Sequence, residues 1–302
     1  MGIGKYIKEI GRGRDGARPI SRDQAADLFG QVLDGEVTDL EIGAFCLAMR
    51  IKGETAIEMA GFLDATHARL NRVPAGDGKP VIVIPSYNGA RKLPVLTPLL
   101  ALLLAREGVP VLVHGTATES TRIYTSKVFE SLGIKNLNAI QPIADGEIVF
   151  APTGTLCAGL QRLLDVRRVV NLRNSAHSVV KLMNPCAGKS LLVTSYTHPE
   201  YALSMAATFE LMHSNAMLLR GTEGESVADA RRMPQMDGFV RGQKSLLQEA
   251  QSGTLPGLPD LPKEFDADTT ATYIRGVMAG TNAVPSSIAK QVEHILRLVT
   301  QL

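Results

Sequence analysis

Residues 81–106 constrain this chain more tightly than any other stretch, because they spell strand, loop and helix in unbroken succession. Val81-Ile82-Val83-Ile84 is an apolar run without alternation, the pattern of a strand buried on both faces. Thr97-Pro98, followed by the apolar segment Leu99–Arg106, predicts a helix with a threonine cap, proline in its first turn and a stop at Gly108. A loop between such a strand and a helix N-terminus is the usual place to hold phosphate on backbone N–H groups. This loop is poorly supplied for that task. Pro85-Ser86-Tyr87-Asn88-Gly89-Ala90-Arg91-Lys92 has one glycine, Pro94 brings no N–H, and the new polar groups are the cations Arg91 and Lys92.

The alternation runs on. Strand-like stretches at 81–85, 110–114, 147–151, 190–195 and 216–220 are separated by helix patterns at 97–106, 120–132 and 199–213. That order predicts an α/β fold with a mainly parallel central sheet. Residues 1–72 read as helices instead. Ser21 with Gln24 forms a capping-box pattern before a helix burying Ala25, Leu28, Phe29, Val32 and Leu33. Asp39 reads as the cap of a second helix, with Ile42, Phe45, Cys46 and Met49 inward. A third, from about Thr55 to Leu70, places Ile57, Ala60, Gly61 and Leu63 on its buried stripe. A helical stretch from Leu160 to Met183 interrupts the alternation. The expected organisation is a small all-helical domain, 1–72 with about 158–186, and a larger α/β domain, 73–157 and 187–302.

Composition removes several classes of function. No apolar run reaches the roughly 18 residues that span a bilayer, and the first residues lack a signal-peptide pattern, so a cytoplasmic protein is expected. Three widely spaced cysteines fit neither a disulfide framework nor a zinc site, and no metal or cofactor is expected. The net charge is only +2, but the cations cluster. Arg12, Arg14 and Arg18 lie on a glycine-broken segment, Gly11–Arg18, that reads either as an arm tracking a polyanion or as a solvated connector. Arg167, Arg168, Arg173 and Lys181 form a second cluster. Read as one helix, Arg173, His177 and Lys181 make an i, i+4, i+8 row suited to a polyanion, or else an ordinary basic helix edge. His114, alone at a strand end, reads as structural. Tyr87 offers a base one aromatic face, yet aromatics are 5% of the chain and tryptophan is absent, so stacking is poorly supplied.

Several blocks resemble the anthranilate phosphoribosyltransferase family, whose fold is shared with pyrimidine nucleoside phosphorylases. They include Gly35–Asp39, Ala48–Thr55, Val113–Arg122 continuing to Gly133, Phe150-Ala151-Pro152, Asn184-Pro185 and Arg220–Glu225. The resemblance implies a pyrophosphate-binding Gly-Thr-Gly-Gly-Asp loop where Ser86, Tyr87, Asn88 and Gly89 stand. It implies Asn-x-Ser-Thr where Pro94-Val95-Leu96-Thr97 stands, and Lys-His-Gly-Asn-Arg where Val113–Ala117 stands. It also implies a magnesium-holding Asp-Glu pair where Ser226-Val227 stands. With those groups gone, phosphoribosyl transfer is expected to be lost and no catalytic residue is assigned.

Arg91 and Lys92 enter the emptied loop, and Arg122 keeps a cation at a family lysine position. Segments 86–92, 11–18 and 173–181 resemble the YbiB-type group, non-enzymatic relatives of the transferase that bind nucleic acid. The resemblance implies a homodimer joined through the helical domain, with basic grooves for DNA or RNA. The expected contacts are Arg12, Arg14, Arg18, Arg91, Lys92, Arg122, Arg167, Arg168, Arg173, His177 and Lys181. The alternative is an active glycosyl- or phosphoribosyltransferase with an altered substrate.

Overall fold

The computed structural model describes every residue except Met1, Arg14, Lys135, Asn138, Pro256, Leu258 and Pro259. The chain divides into two compact units: a helical one, Met1–Asn71 with Thr153–Pro185, and an α/β one, Arg72–Pro152 with Cys186–Leu302. Thr153–Cys157, expected in the α/β domain, belong to the helical unit. The short helix Thr153–Leu156 leads straight into the helix Ala158–Val170, and Asn71 hydrogen-bonds the carbonyls of Thr155 and Leu156.

Capping boxes start three helices of the helical unit. Ser21 pairs with Gln24, Thr38 with Glu41 and Thr55 with Glu58, ahead of the helices Arg22–Asp34, Asp39–Lys52 and Ala56–His67. Thr38 is therefore the cap of the second, and Asp39 its first helical residue. A threonine hydroxyl reaches the N3 backbone N–H from the extended conformation, and Glu41 completes the reciprocal bond. Phe29, Phe45 and Phe62 pack together at the core, Phe29 and Phe62 stacked with centroids 4.6 Å apart. Ile57, expected inside, is exposed.

The expected helix from Leu160 to Met183 is two helices, Ala158–Val170 and Ala176–Leu182. Asn171 ends the first in the left-handed conformation. Asn174 then reopens the helix: its Oδ1 accepts the Ala176 N–H, while its Nδ2 donates to the Leu163 carbonyl. Arg173 consequently lies in the connection. The three-residue basic row does not exist as a helix face; only His177 and Lys181 share one.

In the α/β unit the strands are β1 (Val73–Pro74), β2 (Val81–Ser86), β3 (Val111–Gly115), β4 (Ile148–Pro152), β5 (Cys186–Ala187), β6 (Ser190–Tyr196), β7 (Ala216–Arg220), β8 (Met236–Val240) and β9 (Gln243–Gln248). The main sheet has the order β4-β3-β2-β6-β7-β8-β9; its first five strands are parallel and β8 and β9 are antiparallel. β1 and β5 form a separate parallel pair. Strands β2 and β3 are buried throughout, as their unbroken apolar runs require. The β8–β9 hairpin is absent from the expected strands. Asp237 and Gly238 interrupt the first strand, and the second, at the sheet edge, is mostly exposed and polar. The helix expected over 120–132 begins at Thr125, because residues 116–124 are spent on the β3 exit loop.

Candidate functional site: a phosphate-type loop filled from within

The loop after β2 leaves the C-terminal end of a parallel strand, and the segment after β7 leaves the same end of the sheet two strands away. That end is where α/β sheets hold ligands. Here the two segments hold each other.

Glu225, 1% exposed, points its carboxylate into the loop. Its Oε1 accepts the backbone N–H of Asn88 and of Gly89, both at 2.8 Å. Its Oε2 accepts the Ser86 hydroxyl and, at 3.0 Å, the Thr97 hydroxyl. Ser86 also bonds the Thr125 hydroxyl at 2.7 Å. Thr97 is the first residue of its helix, with Leu96 at the cap position. It does not cap, because its hydroxyl is committed to Glu225. Glu223 serves the rest of the loop: its Oε2 accepts the N–H groups of Arg91, Lys92 and Leu93 at 2.8, 3.1 and 3.3 Å.

Two glycines permit this crossing. A Cβ on Gly221 would stand 1.7 Å from the Glu225 carbonyl oxygen and 2.7 Å from the Ser195 side chain. Gly224 has φ +87°, and a Cβ there would meet the Asn88 amide at 1.7 Å. Between them Glu223 adopts φ 52°, a left-handed conformation costly for a side-chain-bearing residue and held here by its three amide contacts. Behind the turn, Gln291 of the helix Ser286–Val299 bonds Ala228 N–H and the Ser226 carbonyl, and Ser226 donates to the Pro85 carbonyl. The loop is thus not empty. Sequence reasoning saw glycines and carboxylates removed; the carboxylates Glu223 and Glu225 instead occupy the donors that remain.

These contacts also decide the fit to magnesium. Ser226 and Val227 are buried and carry no carboxylate, while Glu223 and Glu225 already accept from N–H and O–H donors. Among the described residues no cluster of His, Cys, Asp and Glu is placed to hold a metal ion. The residues do not fit the magnesium site of the resembled enzymes.

Tyr87 is buried, with its hydroxyl 2.9 Å from Nδ1 of His114, so it presents no face to a base. Burial drives the His114 pKa down to about 3. Arg122 is largely enclosed, bonded through Nε to Glu119 and through Nη1 to the Asn88 carbonyl, both at 2.9 Å. It braces the loop. The side chains of Arg91 and Lys92, by contrast, are exposed, and among the described residues neither forms a salt bridge.

In the helical unit Arg12 and Arg18 are exposed on the connector, with Arg12 paired to Glu9 at 2.7 Å. Arg14 lies outside the described residues. Arg168 is exposed and paired with Asp165; Arg167, Arg173, His177 and Lys181 are half-buried. His177 uses Nδ1 on Asn174. Burial raises the thiols of Cys46 and Cys186 to about 11, which removes them as nucleophiles near neutral pH. No helix among the described residues is long and apolar enough to cross a membrane.

Fold and loop together define a phosphoribosyltransferase-type scaffold. Residues 5–69 match the helical bundle domain of the glycosyl transferase family. The anthranilate phosphoribosyltransferase (TrpD) from Thermus thermophilus superposes with a TM-score of 0.72 at 20% identity, covering 96% of this chain and 85% of that one. An anthranilate phosphoribosyltransferase from Erythrobacter litoralis is 28% identical over 87% of this chain and 81% of its own. The protein YbiB of Escherichia coli (strain K12) is 42% identical over 298 residues, 97% of this chain and 92% of the relative. The chain belongs to the YbiB-type family, built on the anthranilate phosphoribosyltransferase fold.

Proposed function

We propose that this protein binds nucleic acid through its phosphates, without base specificity, and does not transfer phosphoribosyl groups. One observation carries the reading: N–H donors of the 86–93 loop are taken by Glu225 and Glu223, while Arg91 and Lys92 are exposed on the same loop. A small diphosphate finds the N–H donors of the loop already occupied, whereas a polyanion can engage the exposed Arg91 and Lys92 together with other cations of the surface. Arg12, Arg18 and Arg168 supply further exposed charge on the helical unit. A homodimer, joined through the helical unit, would carry two such sets and gain avidity from effective concentration.

The test is a titration of duplex DNA, single-stranded DNA and RNA across a salt series. Binding to duplex should weaken with a log–log slope near about −0.9 per phosphate neutralised. A flat response rejects the reading. Magnesium-dependent consumption of phosphoribosyl pyrophosphate with anthranilate would instead favour an active transferase.

A further inference from the structure

We propose that the 86–97 loop is still a working anion site and that Glu225 is its resident ligand. The carboxylate is fully enclosed, yet all four of its hydrogen-bond donors are neutral: two backbone N–H groups and two hydroxyls. A buried carboxylate is tolerated without a cation only where fixed dipoles replace its water shell. The start of the helix Thr97–Arg106 adds its own positive end. These groups solvate an inorganic oxyanion in the same way.

The donors are held by the scaffold as well as by Glu225: Arg122 bonds the Asn88 carbonyl, the Asn88 amide bonds the Glu223 carbonyl, and Ala90 pairs with Ile123. Ser86 lies in β2, registered against Gly115 of β3, and Thr97 opens a ten-residue helix packed in the core. On the other side, Gln291 and Ser195 hold the backbone of the 224–228 segment. Removing the side chain of Glu225 should therefore leave a preformed cavity in which the Asn88 and Gly89 N–H groups and the Thr97 hydroxyl lose their acceptor while Ser86 keeps Thr125, a costly arrangement that a small oxyanion relieves. The ligand class is a compact oxyanion, formate or inorganic phosphate, standing in for the deleted carboxylate.

The experiment follows thermal unfolding of wild type, Glu225→Ala and Glu225→Gln while sodium formate or inorganic phosphate replaces chloride at constant ionic strength. Glu225→Ala should start lower than wild type and rise saturably, by roughly 5 °C at a hundredfold excess over Kd. Wild type and Glu225→Gln, whose cavities stay filled, should not respond. If Glu225→Ala rises no more than Glu225→Gln, or wild type rises equally, the proposal is overturned. Should Glu225→Ala not fold in chloride, refolding decides: recovery in formate or phosphate alone supports the site, and no recovery in any of the three salts overturns it. The result is separable from the nucleic-acid reading, because Arg91 and Lys92 are intact in every variant.

Discussion

The Glu225 carboxylate accepts the Gly89 N–H at 2.8 Å across 136 residues of sequence, one of four bonds through which that side chain fills the loop after β2. The loop keeps the form of a phosphate cradle because its backbone must still be satisfied. Buried N–H groups need acceptors, and here the chain supplies its own. Glu225 and Glu223 do so, while the side chains of Arg91 and Lys92 are exposed. Internal carboxylates thus account for the hydrogen bonding of the loop.

Stability should fall on mild acidification through His114. Its folded-state pKa, about 3, lies below the unfolded value of roughly 6.5, so the unfolded chain binds the extra proton first. This contribution is complete above about pH 6.5 and is lost as pH falls towards 3, with a slope of about 1.4 kcal/mol per pH unit. Urea unfolding at pH 7, 6 and 5 should show the decline in wild type. In His114→Gln, which keeps an acceptor for the Tyr87 hydroxyl, the slope should flatten.

Glu58 should be among the most sensitive positions of the helical unit. Its side chain is fully buried and accepts Lys52 Nζ at 2.6 Å, Ile20 N–H at 3.0 Å and both the N–H and hydroxyl of Thr55 at 3.0 Å. It joins a helix start, the end of the preceding helix and the segment leading into the first capping box. Glu58→Ala leaves the Lys52 ammonium, whose side chain is 8% exposed, with the Gly53 carbonyl but no counter-charge, and should cost about 3–5 kcal/mol. Denaturant unfolding measures it; a loss under about 1 kcal/mol would show that Lys52 finds water instead.

Much of this architecture is legible in the sequence because local periodicity sets it. Five parallel strands and the helix Thr97–Arg106 follow from apolar runs that permit little else. Local rules mislead where a side chain is spent at long range. Thr97 reads as a cap until Glu225 claims its hydroxyl, and Arg173 reads as helical although Asn171 has already ended the helix before it. The carboxylates in the loop are invisible to pattern reading, since they arrive from residues 223–225. The available signal was Gly221-Thr222-Glu223-Gly224-Glu225, two glycines alternating with two acids after a strand, a turn able to carry carboxylates past the end of β6.

Arg91 and Lys92 should contribute to nucleic-acid affinity as point charges. Replacing both with alanine removes two phosphate contacts, so the log–log salt slope for duplex DNA should shrink by about 1.8. The loss should be alike for unrelated sequences, because phosphate contacts carry no base information. Fluorescence anisotropy over a salt series measures both quantities. An unchanged slope would remove the loop from the interface, whatever the total affinity.

Self-association should depend on the apolar face left open on the helix Asp39–Lys52. Leu40, Leu47 and Ile51 are 83%, 49% and 55% exposed, and their spacing of seven and four residues places them on one stripe. Single exposed leucines are ordinary, but an aligned apolar stripe on one helix is the signature of a contact surface. Leu47→Glu combined with Ile51→Glu puts two like charges on that stripe without touching the buried Phe45 or Met49. Sedimentation velocity should find wild type as a dimer and the double variant as a monomer, with circular dichroism unchanged. The monomer should still bind DNA with wild-type response to the Arg91 and Lys92 substitutions, but more weakly, having lost the second set of cations. A variant that stays dimeric would move the interface off this helix.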